Sequence, residues 1–96
     1  MTDKRKAYEE KFDTQLKEWG VEIALLNAKA DTAKADAKIE YYKTIEALQG
    51  KQDTARTKVR ELRTAGDEAW EDLKTGVDNV WAEVKTSFQS AASRFK

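Results

Sequence analysis

The chain contains no cysteine, no histidine and no proline, and only four of its 96 residues are glycine. Without cysteine there is no disulfide, no thiolate metal ligand and no redox chemistry. Without histidine, the commonest general base and the commonest transition-metal ligand are both missing. No glycine-rich loop matches a phosphate-binding pattern. These absences predict a protein that is not an enzyme and has no catalytic residues, no cofactor and no bound metal.

A surplus of charge of either sign is also missing, because 18 basic residues balance 18 acidic ones. Neutralisation of phosphates supplies most of the affinity of nucleic-acid-binding proteins, so we expect no nucleic-acid partner. The first residues are charged and lack the apolar run of a signal peptide. No stretch approaches the ~20 apolar residues that span a bilayer. We therefore expect a cytoplasmic protein.

The residues that the chain does contain are mostly helix formers such as alanine, glutamate and lysine, and charged residues make up 38% of the chain. Such a proline-free composition is typical of a long helix or a coiled coil. Seam residues recur at steps of three or four, like the a and d positions of a coiled coil, and predict an all-α fold. They are Phe12, Leu16, Trp19, Ile23, Leu26, Ala30, Ala33, Ala37, Tyr41, Ile45, Leu48, Gln52, Ala55, Val59 and Leu62.

The glycines are the candidate breaks in this helix. Gly66, in RTAGDEAWED, follows the periodic run, can adopt the left-handed conformation, and precedes Asp67, which can cap a new helix. Gly50 is a second candidate, although the seam crosses it without losing phase. We predict a single helical coiled-coil domain over residues 1–96, with a helix at about 3–64, a turn near Gly66 and a shorter helix at about 67–94.

Such a first helix would be roughly 90 Å long at ~1.5 Å per residue, too long to be buried by the shorter one. Either Gly50 also breaks it and a three-helix bundle forms, or two or more chains share the seam, which is the alternative we favour. The segment WGVEIALL is apolar on several sides, as expected of a helix with several neighbours. We predict that the homo-oligomer is held by Trp19, Ile23, Leu26, Ala30 and Ala33.

The second helix repeats itself after eleven residues, so that Trp70 falls on Trp81 and Val77 on Phe88. Eleven residues complete three turns at ~3.67 residues per turn, so the repeat keeps its apolar residues on one face. One reading is that this face docks on the long helix; the other is that residues 67–95 lie on a lipid surface. The residues predicted to dock are Trp70, Leu73, Val77, Trp81, Val84 and Phe88.

Two resemblances follow from these residues. Residues 69–95 resemble the eleven-residue amphipathic repeats of exchangeable apolipoproteins and late-embryogenesis proteins. Residues 19–96, most specifically through GDEAWEDLKTGV and the final AASRFK, resemble small bacterial coiled-coil proteins of uncharacterised function. This second resemblance implies a bacterial source and a helical, self-associating protein, and it brings no catalytic residues.

Charged residues mostly alternate in sign at helical spacing, as in Asp13 with Lys17, which is typical of a solvated face. A basic cluster could contact an acidic protein or RNA, although acidic residues interrupt it; it consists of Arg56, Lys58, Arg60 and Arg63. The sequence thus predicts a non-enzymatic coiled-coil structural or interaction protein that self-associates, with a scaffold role. The alternative is a peripheral membrane-binding or stress-protection protein that uses residues 67–95.

Overall fold

Three α-helices account for nearly all of the computed structural model, which describes residues 2–95. They are α1, Thr2–Thr32; α2, Ala35–Thr64; and α3, Asp67–Arg94. Successive helices run antiparallel and form one elongated bundle of 51 × 19 × 18 Å. The predicted all-α class is confirmed. Met1 and Lys96, which the predicted domain 1–96 includes, lie outside the described residues.

The single helix predicted over residues 3–64 is divided in two at Ala33 and Lys34. Thr32 ends α1 by donating its hydroxyl to the Lys29 carbonyl at 3.2 Å, and Lys34 is extended, with φ −69° and ψ 157°. Gly50, the break that we considered, lies inside α2, where helical hydrogen bonding continues past it. Folding back at Ala33 lets α1 and α2 bury their seams against each other within one chain.

The turn predicted near Gly66 is present, but its conformation differs from the predicted one. Gly66 has φ −70° and ψ 165°, which is extended backbone open to any residue, and not the left-handed region. Gly66 itself occupies the N-cap position, and Asp67 is the first residue of α3. The position of this turn therefore does not depend on the conformational freedom of glycine.

Both turns share one sequence pattern, threonine followed by alanine and an extended third residue. The first is Thr32-Ala33-Lys34 and the second is Thr64-Ala65-Gly66. In each, the threonine hydroxyl donates to a carbonyl in the last turn of its own helix, which competes with continued helical bonding. The same local chemistry thus ends both α1 and α2.

The core takes six buried residues from each helix, at the three-to-four spacing of the seam. They are Phe12, Leu16, Trp19, Ile23, Leu26 and Ala30 of α1; Ile45, Leu48, Gln52, Ala55, Val59 and Leu62 of α2; and Trp70, Val77, Trp81, Val84, Phe88 and Ala91 of α3. Gln52 is the polar member, and its Nε2 donates to the Leu16 carbonyl at 3.0 Å. This bond satisfies a buried amide and fixes the register of α1 against α2.

Aromatic rings fill the space between α1 and α3, whose backbones lie farther apart than either lies from α2. Between ring centroids, Tyr8 lies 5.9 Å from Trp70, Phe12 lies 4.6 Å from Trp81, and Trp19 lies 5.1 Å from Phe88. Aromatic side chains are long enough to pack across such a gap, and close ring pairs add to the stabilisation from buried area. α2, with alanine and aliphatic residues in its core face, approaches both neighbours more closely.

Candidate functional site

The residues predicted to hold an oligomer together lie inside one chain. Trp19, Ile23, Leu26 and Ala30 are buried in the bundle core, and the indole of Trp19 stacks on Phe88 of α3 with 8° between the ring planes. Ala33, the fifth, is half-buried in the α1–α2 turn. The structure brings the first four together, but against α2 and α3 of the same molecule.

The residues predicted to dock the second helix lie on the inner face of α3. Trp70, Val77, Trp81, Val84 and Phe88 are buried, and Leu73 is half-buried against the core. The eleven-residue repeat thus places aromatic rings along the whole length of the contact with α1. If this face were to meet lipid, α3 would first have to leave the bundle.

A cap that involves the Arg5 guanidinium closes one end of the bundle. Its Nη2 lies 3.1 Å from the Leu62 carbonyl, 3.1 Å from the Arg63 carbonyl and 2.6 Å from the Ala65 carbonyl. The Leu62 carbonyl also accepts the Ala65 N–H at 3.3 Å, whereas Arg5 is the donor described for the other two carbonyls at this end of α2. Sequence reading missed this contact, because it joins residues about sixty positions apart and no periodicity encodes it.

The same guanidinium also reaches α3. Its Nη1 donates to Asp67 Oδ1 at 3.2 Å, and its carbon lies 5.8 Å from the centre of the Trp70 ring. The indole Nε1 of Trp70 is buried and has no hydrogen-bond partner among the described residues. Arg5 therefore joins the ends of all three helices.

Among the residues that the structure describes, four large apolar side chains are exposed, and all lie nearer to the α1–α2 turn than to the other end. They form two pairs: Val21 and Leu25, one turn apart on α1, and Ile39 and Tyr42, three residues apart on α2. Val21 is 68% exposed and Leu25 55% exposed, well beyond the partial exposure of seam-edge residues. WGVEIALL is apolar on several sides, and the fold decides that Trp19, Ile23 and Leu26 are covered while Val21 and Leu25 are not.

An apolar groove runs between α1 and α3 near the same end. It is lined mainly by Leu25, Leu26, Phe88, Ala91 and Phe95, with Glu22 and Lys29 among its polar residues. Burial there raises the pKa of the Glu22 carboxyl above its usual value, and the charge of Glu18 adds to the shift. Lys29 Nζ donates to the Phe95 carbonyl at 3.2 Å, so this cation already holds the end of α3.

The predicted basic cluster is divided by the helix. Arg56, Arg60 and Arg63 line the groove between α1 and α2 together with Lys17. Lys58 lies outside that lining and pairs with Glu61 at 3.6 Å. In the folded protein the basic groove therefore contains Lys17 of α1, and not the Lys58 that the sequence predicted.

Within residues 2–95, no group of three or more acidic side chains is arranged to hold a metal ion. Besides Glu22, a shifted pKa is found at Lys74, where a hydrogen bond to the Tyr8 side chain, and then Asp78, raise the pKa of the ammonium. Lys74 Nζ lies 4.5 Å from the centre of the Tyr8 ring. These two groups lie on different parts of the bundle, and the expectation of a non-enzymatic protein stays a prediction.

No helix within the described residues has both the length and the apolar content to cross a bilayer. Comparison with known proteins gives this chain no relative: no protein-family model, no curated sequence and no solved structure matches it. The geometry of its surfaces is therefore the basis on which a function can be argued.

Proposed function

We propose that this protein is a non-enzymatic helical interaction module that self-associates and serves as a scaffold. The observation that supports the proposal is the outer face of α1. Around WGVEIALL, Trp19, Ile23 and Leu26 point into the core, whereas Val21 and Leu25 remain exposed. A segment that is apolar both inward and outward provides for its own core and leaves a surface that a partner would cover.

A second copy of the chain is the partner that we infer. Ile39 and Tyr42 lie at the same end of the bundle and add apolar surface on the neighbouring helix. In a two-fold pair both partners present the same patch, so the contact buries two copies of each side chain, one from each partner. Complete burial of a valine or leucine side chain is worth about 1.5–3 kcal/mol, so a few such contacts give measurable association.

Size-exclusion chromatography with light scattering, across a range of protein concentrations, tests this proposal. We expect the wild-type mass to exceed the 10.9 kDa of one chain at high concentration. At ~1 M salt, where charge contacts are screened, Val21→Gln with Leu25→Gln should return the mass to that of one chain, because glutamine keeps the helix and removes the apolar surface. Ala69→Gln with Ala82→Gln, at exposed positions of α3, is the matched control and should leave the mass unchanged. A wild-type protein of 10.9 kDa at every concentration would refute self-association.

A second candidate is peripheral membrane binding through residues 67–95, as the resemblance to apolipoprotein repeats implies. The observation that favours it is Trp70, whose buried Nε1–H has no partner among the described residues. An indole at a membrane interface keeps its ring in an apolar phase while its N–H reaches water. This role requires α3 to leave α1 and α2.

Vesicle flotation and tryptophan emission separate the two candidates. A Trp19→Phe variant leaves the emission of Trp70 and Trp81, which are already shielded in the bundle. We expect neither a blue shift nor flotation with neutral or anionic vesicles, since the apolar face of α3 would exchange one buried contact for a similar one. Flotation of the full chain with both kinds of vesicle would place the membrane role first.

A further inference from the structure

A basic groove between α1 and α2 lies near the Arg5 end of the bundle. It has a volume of ≈ 510 Å³, and its lining includes four cations: Lys17, Arg56, Arg60 and Arg63. Asp13 is the acidic residue of the lining. The apolar part of the lining comes from Leu16 and Val59, and Gly20 contributes no side chain, so the groove stays open between the charged walls.

Half of these cations are left without a counter-charge by the chain itself. Arg63 pairs with Asp13, and Arg56 pairs with Asp53 at 3.1 Å. Lys17 and Arg60 are exposed, and neither has an ion-pair partner within residues 2–95. The groove therefore carries a local positive charge, although the whole chain has none in excess.

The complementary charge lies on the outer face of α3. Glu68 and Asp72 are exposed in its first two turns and have no ion-pair partner among the described residues; Glu71, on the flank of this face, lines a cavity with Lys4 and Arg5 of α1. By contrast, Asp67 pairs with Arg5 and Asp78 with Lys74. The acidic face is at the same end of the bundle as the basic groove, because α3 begins where α2 ends. It points away from the groove, because α3 packs on the opposite side of α1 and α2.

We propose that the basic groove of one copy receives the acidic face of α3 of a second copy. A helix laid along the groove between two others is an ordinary packing arrangement for helices. When two complementary patches lie on opposite sides of a molecule, the contact between copies is heterologous. A row of copies then has an unused patch at each of its two ends, so further copies can add to it. Copies would therefore stand side by side in parallel, one bundle width of 18–19 Å apart. The proposal rests on self-association as the function, but it uses a surface distinct from Val21 and Leu25.

Such a contact depends on salt. Exposed ion pairs are individually weak, so several must form together for the contact to persist. Screening shortens their range from about 30 Å at ~0.01 M salt to about 3 Å at ~1 M. Association through this surface is therefore expected at low ionic strength, with loss at high ionic strength, whereas an apolar contact persists.

Charge-swapped variants provide the test, in a Val21→Gln and Leu25→Gln background that removes the apolar contact. The groove variant is Lys17→Glu with Arg60→Glu, and the face variant is Glu68→Lys with Asp72→Lys. None of these four residues has an ion pair within residues 2–95, so the swaps break no ion pair that the structure describes inside one chain. Thermal melts of both variants are the control that they still fold.

Light scattering at ~0.05 M salt is the measurement. We expect the background protein to show a mass above 10.9 kDa that falls to one chain at high salt. Each variant alone should remain a single chain, since its two patches then carry the same sign. An equimolar mixture should recover a mass at least about twofold higher, because each variant offers the sign that the other lacks.

Three results would overturn the proposal, whether or not the apolar contact exists. The first is that the background protein is a single chain at low salt. The second is that the variants associate as well as the background does, and the third is that their mixture stays at the mass of one chain. Binding of a single-stranded RNA oligonucleotide to the background protein, lost in the groove variant and without any change in protein mass, would assign the groove to nucleic acid instead. The apolar proposal is decided separately, by comparing the wild type with the background at high salt.

Discussion

The two ends of the bundle are built differently. At the end that holds the second turn, Arg5 caps α2, pairs with α3 and lies against Trp70. At the end that holds the first turn the contacts are pairwise: Lys29 donates to the Phe95 carbonyl, and Arg94 pairs with Glu40 at 2.6 Å. Apolar side chains such as Val21 and Leu25 lie exposed in that half. One guanidinium thus joins all three helices at one end, whereas separate pairwise contacts hold the end that exposes apolar surface.

The largest expected contrast between the ends comes from leucine truncation. Leu62 is fully buried at the Arg5 end, so Leu62→Ala should lower the free energy of unfolding by about 2–5 kcal/mol. Leu25 is exposed at the other end, so Leu25→Ala should change it by no more than ~0.5 kcal/mol. Urea unfolding at protein concentrations low enough for a single chain measures both. Equal losses would mean that the exposed face of α1 is part of the monomer's core after all.

Removal of the cap should have the next largest effect. Arg5→Met keeps the length and the apolar part of the side chain but removes the donor described for the Arg63 and Ala65 carbonyls, while Leu62 keeps the Ala65 N–H. Hydrogen bonds that involve a charged group contribute about 1.5–3 kcal/mol, and we expect a loss of unfolding free energy in that range. Lys29→Met is the matched change at the other end and should cost less than ~1 kcal/mol, since its single bond is exposed. If the two variants lose the same stability, the ends are not differently secured.

The uncapped first turn can be strengthened. Lys34 occupies the N-cap of α2 and makes no capping bond through its side chain. Lys34→Ser supplies an oxygen for the free N–H groups of the first turn and should raise unfolding free energy by about 1 kcal/mol. Gly66→Ser should gain only a few tenths, because glycine is already an acceptable N-cap. Thermal melts rank the two variants, and a larger gain at Gly66 would contradict the comparison.

The smallest expected effect on stability concerns Glu22, which lies in the half of the bundle that holds the first turn. Burial, and then the charge of Glu18, raise its pKa above 4.5, so the folded protein favours the neutral acid. The contribution of Glu22 to stability should therefore fall as the pH rises through the window above its ordinary pKa of 4.5. Glu22→Gln should be slightly more stable than wild type at neutral pH and lose this advantage as the pH falls below that window. An advantage independent of pH would show that the charge is not its cause.

The core could be predicted from sequence because its signal is periodic. Residues such as Trp19, Leu48 and Trp81 recur at steps that place them on one side of a helix, and the structure buries them on that side. The turn at Ala33 was missed because it contains neither glycine nor proline and uses extended backbone that any residue adopts. Alanine at position 33 also continued the seam, and the successive steps of four after Ala37 indicated a stutter in a continuous helix and not a break.

The surfaces were harder to predict, for two physical reasons. The Arg5 cap joins residues that are distant in the chain, and such pairing depends on how the helices are arranged. The roles of Val21 and Leu25 depend on how many sides of α1 the chain covers, which follows from the first turn and not from the helix itself. The basic groove needed the same information, because Lys17 joins Arg60 only after α1 folds back on α2.

Because the bundle has three antiparallel helices, residue 2 and residue 95 lie at opposite ends of a body 51 Å long. A tensile force between these two points would run along the helix axes. It would load the aromatic α1–α3 interface in shear, with Trp19, Trp81 and Phe88 resisting displacement together, and would not peel them apart one by one. The bundle should therefore resist extension, because its core holds residues 2 and 95 a fixed distance apart.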